Sequence, residues 1–124
     1  AKNFPTKEYL KEHFDGMLHE RGIYIDERVE IAGGNAVLLG ACEAECGVEK
    51  YAVSRLYVKH DSRVVIWARD HAFVMVDALD DAAVEVHCEG ESKVVVNLYA
   101  WATAVADGDG YAKVVHKNKE TYDL

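Results

Sequence analysis

The chain repeats itself every ten residues, and this period constrains its fold more than any other feature. In blocks of ten from residue 32, the first position reads Ala32, Cys42, Ala52, Ser62, Ala72, Ala82, Ser92, Ala102 and Ala112. Every one is small. The third position runs from Gly34 through Val64, Val74, Val84 and Val94 to Val114. The fifth includes Cys46, Leu56, Ile66, Val76, Val86 and Val96, and the seventh Leu38, Val48, Val58, Ala68, Ala78, Cys88 and Leu98. Odd positions are thus small or apolar while even positions are mixed, the alternation of a strand with one buried face. Positions nine and ten supply turn residues, as in Asp70-His71, Asp80-Asp81 and Gly90-Glu91. A fixed internal period of this kind is the mark of a repeat architecture.

Ten residues make one strand and one corner, too little for a closed turn of chain. Two blocks make a flattened coil with two long sides, and coils then stack at the strand spacing of about 4.8 Å. The predicted fold is therefore mainly β, a small solenoid of about four coils of about 20 residues each. The alternative is an eight-stranded up-and-down barrel. A barrel reverses alternate strands and sends position one to opposite ends, which leaves its uniform smallness without a reason.

Residues 1–31 precede the repeat. Thr6 to Glu20 places Tyr9, Leu10, Phe14, Met17 and Leu18 on one helical face, with Thr6 as N-cap and Gly22 as stop. An amphipathic helix here is expected to cap the raw apolar end of the first coil, which otherwise invites edge-to-edge aggregation. Ile23-Tyr24-Ile25 and Val29-Glu30-Ile31 read as lead-in strands, and Lys117 to Glu120 as a charged guard at the far end. The solenoid proper is expected over 32–124, within a single folded domain.

A 20-residue coil puts alternate blocks on one side. Blocks 42–51, 62–71, 82–91 and 102–111 carry a net charge of −6, and blocks 52–61, 72–81, 92–101 and 112–121 carry +1. The first side presents Glu43, Glu45, Glu49, Glu85, Glu89, Glu91, Asp107 and Asp109 around Arg63, Trp67 and Arg69. The second presents Val53, Tyr57, Phe73, Met75, Leu79, Val95, Tyr99 and Val115, edged by Arg55, Lys59, Lys93 and Lys113. One face is expected to be acidic and the other an apolar stripe of the size that marks an interface.

The formal charge of −8 disfavours direct binding to nucleic acid or anionic membrane and favours a basic protein partner. No apolar run is long enough for a transmembrane helix. The three cysteines, Cys42, Cys46 and Cys88, are an odd count without framework spacing and read as reduced core thiols of a cytoplasmic protein. The six histidines (His13, His19, His60, His71, His87 and His116) show no strong metal spacing. Gly33-Gly34 and Gly108-Asp109-Gly110 lack a phosphate-loop pattern, and Ser54, Ser62 and Ser92 lack a nucleophile elbow. The pairs Glu85/Glu89 and Asp107/Asp109 would sit on a flat face without the pocket that tunes catalytic carboxylates. No catalytic residue, cofactor or metal is therefore expected.

From Ser62 to Val115, the ten-residue pattern of Ala72-Phe73-Val74-Met75-Val76-Asp77-Ala78-Leu79-Asp80-Asp81 and the following Ala82 to Cys88 resembles short-repeat β-solenoids of phage-borne and gut-bacterial proteins. That resemblance implies a shape and carries no catalytic residues. There is a weaker likeness to pentapeptide-repeat proteins, some of which are acidic rods that imitate DNA, although their Ala-Asp/Asn-Leu unit is missing here. The function expected from these features is a non-enzymatic protein-binding module. Its sharper form is a phage-type inhibitor of a nucleic-acid-binding defence or DNA-processing protein, acting through the acidic face in a bacterial cytoplasm. The alternatives are a self-assembling homodimer through the apolar face and a glycan binder using Trp67, Trp101, Tyr51 and Tyr111.

Overall fold

The computed structural model describes residues 21–117. The expected helix over 6–20 and most of the charged tail lie outside these residues. The described strands are β1 (Ile23–Ile25), β2 (Arg28–Ile31), β3 (Gly34–Leu39), β4 (Glu43–Val48), β5 (Val53–Val58), β6 (Arg63–Ala68), β7 (Phe73–Ala78), β8 (Ala83–Cys88), β9 (Lys93–Leu98), β10 (Thr103–Asp107) and β11 (Tyr111–His116). Odd-numbered strands form one sheet in the order β1-β3-β5-β7-β9-β11, and even-numbered strands form the other, β2-β4-β6-β8-β10. Every pairing is parallel. The chain thus winds as a two-sided β-solenoid of about four turns, and the antiparallel barrel is excluded.

Register follows the repeat. Val53 pairs with Phe73, which pairs with Lys93, and Glu43 pairs with Arg63, which pairs with Ala83. Each residue therefore sits over the one a full coil away. Inward side chains of both sheets meet in one narrow core. Leu38, Leu56 and Ile66 are fully buried there with Val58, Val74, Val76, Val86, Val94 and Val96. β-Branched residues dominate because they fit the pleated surface and lose little rotamer freedom in a strand.

The corners explain the small first position. Six of them, from Ala52 to Ala102, are closed by the N–H of position one donating to the carbonyl three residues back, as in Ser62 to Lys59 (3.3 Å) and Ala72 to Arg69 (3.1 Å). The residue inside the turn takes a left-handed conformation in Lys50, His60, Asp70, Asp80 and Ala100, with φ from 53° to 62°. That conformation costs a non-glycine residue about 1–2 kcal/mol. Hydrogen bonds between coils offset it. The Lys50 N–H donates to Asp70 Oδ2 at 3.0 Å, and the Gly40 N–H donates to His60 Nδ1 at 2.9 Å. Beneath the turns, Cys42, Ser62, Ala72, Ala82, Ser92 and Ala102 are buried. Ser62 Oγ accepts the Cys42 N–H (3.2 Å) and donates to the Gly40 carbonyl (3.1 Å), so its burial leaves no polar atom unmatched.

The period breaks at both ends. The lead-in strands are themselves part of the stack: β1 pairs with β3 and β2 with β4, in a coil shorter than the rest (Ile23 over Val37, Arg28 over Glu43). At the other end β11 slips by two residues, placing Tyr111 rather than Lys113 beside Lys93. The turn at Gly108 cuts close across the end of the core. Its φ is +101°, and a Cβ there would overlap the Cys88 carbonyl oxygen, so only glycine fits. Two residues is an even slip, so Ala112 and His116 still stand over inward Val94 and Leu98, and they are exposed because β11 is the last described strand of its sheet.

Candidate binding faces

The acidic blocks lie on the even sheet and its following corner, and the apolar blocks on the odd sheet. Their outward side chains fall into columns that differ from the expected picture in detail. On the odd sheet one column runs Val53, Phe73, Lys93, Tyr111, the next Arg55, Met75, Val95, Lys113, and the third Tyr57, Asp77, Asn97, Val115. Lys93 thus interrupts the first column, whereas Arg55 and Lys113 stand at the two ends of Met75 and Val95. Arg55 also lies 5.6 Å from the Tyr57 ring centre. Asn97 Nδ2 donates to Asp77 Oδ1 at 3.0 Å, placing a polar pair where an unbroken stripe was expected. Leu79 is not an exposed member of this face. It is 8% exposed, because the strand alternation ends at Ala78 and the bend carries Leu79 off the outward columns. Phe73, Met75, Val95, Tyr57, Tyr99 and Val115 are half-buried, and Val53 is fully at the surface.

The even sheet is more open. Its columns are Glu43, Arg63, Ala83, Thr103; Glu45, Val65, Glu85, Val105; and Gly47, Trp67, His87, Asp107. At the corner, Glu49 receives two N–H bonds from Arg69, the Nε one at 2.8 Å. Only the second column has carboxylates in adjacent coils among these strands, Glu30 of β2 standing beside Glu45. Glu45 and Glu85 stand two coils apart, about 9.6 Å at the ordinary spacing. Most of the expected acidic residues already have partners. Glu43 pairs with Arg28 at 2.8 Å, and Glu91 with His71 at 3.1 Å. Asp109 Oδ1 accepts the Gly90 N–H at 2.8 Å. Among the described residues Glu45 and Glu89 hold no ion pair. Exposed Glu30, beside Glu45, holds none either, so the uncompensated charge of this face centres on those three.

His87 is the best-connected group of the face. Its Nε2 lies 2.7 Å from Glu85 and its Nδ1 lies 2.7 Å from Asp107. Both nitrogens can donate only in the imidazolium form. The hydrogen bond to Glu85, then that to Asp107, holds the His87 pKa above its ordinary value. The ring stacks on Trp67 with centroids 4.2 Å apart and planes 17° apart. A second column repeats the order at the corner: Tyr51 stacks on His71 (4.7 Å, 2°), and His71 meets Glu91.

These two ladders, aromatic then histidine then carboxylate at intervals of one coil, were not anticipated. The signal was available in Tyr51, His71, Glu91 and in Trp67, His87, Asp107, by comparing even positions twenty residues apart. Trp101 lies at the opposite corner from Tyr51, so the exposed aromatics form no single platform. Beside the Trp67 ladder lies an open cavity of about 370 Å³ lined by Gly47, Glu49, Trp67, Arg69, His87 and Glu89.

The cysteines are free and buried, as expected of core thiols, and burial pushes the Cys46 thiol pKa up. Ser54 is buried and donates to the Gly34 carbonyl at 2.6 Å, a structural bond. Among the described residues no group of three histidines, cysteines or carboxylates is arranged to hold a metal, and no helix is long and apolar enough to cross a membrane. No protein-family model, curated protein or solved structure matches the chain.

Proposed function

We propose that this protein is a non-enzymatic protein-binding module whose even sheet engages a cationic partner. The observation that carries this reading is the contrast in accessibility between the two outer faces. The even sheet leaves Glu45, Trp67 and Val105 exposed together, with Trp67 51% and Val105 65% exposed. Tryptophan is among the residues most enriched at interface hot spots.

The acid spacing bears on the sharper form, inhibition of a basic nucleic-acid-binding protein. Duplex DNA carries one charge per about 1.7 Å of axis. Even Glu30 and Glu45, about 4.8 Å apart, are sparser, and Glu85 stands two coils further along the column. Discrete contacts to a basic segment therefore fit this face better than continuous imitation of a duplex. The test is binding to a panel of basic protein segments at physiological salt, with nucleic acid as competitor. Reversal of Glu45, Glu85 and Glu89 to Lys is expected to weaken binding at least about tenfold, or 1.4 kcal/mol. Unchanged binding by that variant would contradict the reading, and failure to displace nucleic acid would remove its inhibitor form.

A second reading is self-association through the odd sheet, which the exposure of Val53 (61%) beside half-buried Phe73, Met75 and Val95 favours. Light scattering of the wild type and of a Phe73→Glu, Val95→Glu variant decides it. A wild-type monomer at micromolar concentration counts against this reading.

A further inference from the structure

We propose that the outward face of Trp67, in the gap above Gly47, is a slot for the guanidinium group of an arginine on the partner; this rests on the proposed role of the even sheet. Gly47, Trp67 and His87 occupy successive places in one column. His87 covers one face of the indole. The place above the other face belongs to Gly47, which has no side chain to fill it. A Cβ built on Gly47 meets nothing within 4 Å, and its backbone is not in the left-handed region. Neither strain nor crowding requires glycine there. Its consequence is an empty layer one strand spacing thick, about 4.8 Å, over an exposed indole.

The surroundings select a planar cation. Glu45 and Glu49 lie two residues to either side of Gly47 on the same face of β4 and its corner, about 7 Å along the strand. Glu89 also lines the cavity. The Glu49–Arg69 pair is internally matched, and the charge of His87 is matched by Glu85 and Asp107. Glu45, with Glu30 beside it, and Glu89 therefore supply the net negative field. A cation over an indole face is attracted by the ring quadrupole, more strongly where carboxylates help to desolvate and hold it. Guanidinium is flat, weakly hydrated and able to stack while its N–H groups reach carboxylates at its edge. Ammonium satisfies the charge but not the shape.

The experiment uses a Trp101→Phe background so that fluorescence reports Trp67 alone. Three nonapeptides are titrated, identical except for three arginines, three lysines or three citrullines. The arginine peptide is expected to perturb Trp67 emission and to bind about fivefold or more tightly than the lysine peptide, with the citrulline peptide weakest. Gly47→Val fills the gap, suits a strand and is expected to fold normally. In that variant the arginine preference should vanish while weak charge-driven binding remains. Equal binding of arginine and lysine peptides, or an arginine preference that survives Gly47→Val, overturns the slot and leaves the acidic-face reading standing. Absence of binding by both cationic peptides overturns the two together.

Discussion

Asp77 and Asp107 are outward carboxylates on parallel strands, one on each sheet, and they live in different worlds. Asp77 is 5% exposed and takes a hydrogen bond from Asn97, whereas the Asp107 side chain is 69% exposed and holds His87. The same backbone ladder thus supports a sheltered centre on the odd sheet, with Val53 and Tyr111 exposed at its margins, and a more open surface on the even sheet. Inward, the sheets are alike, each lending valines and a larger aliphatic residue to a common core. The fold is set by what the two sheets share, and the proposed binding rests on where they differ.

The largest effect should fall on the shared part. Ile66→Ala on the even sheet and Leu56→Ala on the odd sheet each remove a fully buried side chain. Each is expected to cost about 2–5 kcal/mol in denaturant unfolding. Thr103→Ala, outward and exposed, should stay within about 0.5 kcal/mol. If one core substitution proves as mild as Thr103→Ala, the sheets do not share one core.

The carboxylates come next. Asp77→Ala strips a sheltered amide of its acceptor and is expected to destabilise by about 1–3 kcal/mol. Asp107→Ala breaks an exposed pair and should cost under about 1 kcal/mol. Equal losses would show that the odd face is as open as the even one.

The smallest effect concerns pH. The folded pKa of His87 is raised, first by Glu85 and then by Asp107. The stabilisation from this contact is full below the unfolded value of about 6.5 and is lost as pH rises through the folded value. An NMR titration should place the His87 midpoint above about 6.5, and Asp107→Asn should move it down. A midpoint at or below the ordinary value would mean that the imidazolium ladder does not form in solution.

Much of this was legible in the residues. Small residues at each first position demanded a tight corner used in one sense only, and apolar third, fifth and seventh positions demanded one buried face. Together they favoured the parallel 20-residue coil over the barrel, while the division of faces, which the period itself does not require, was read from the charges of alternate blocks. The ends were less legible, because the short first coil and the two-residue slip at Gly108 depart from the period itself. Burial of Leu79 and Asp77 was hidden because alternation describes direction, not what lies alongside. The histidine ladders were hidden for another reason. Stacking joins residues twenty apart, and Trp67, His87 and Asp107 have unrelated chemistry until the register sets them side by side.

The most direct test of the account is an NMR shift map with an arginine-containing basic peptide. The predicted result is that Gly47, Trp67, His87 and Glu89 move with one affinity, while Val53, Met75 and Val95 stay fixed. Shifts confined to the odd sheet, or spread evenly over both, would contradict it.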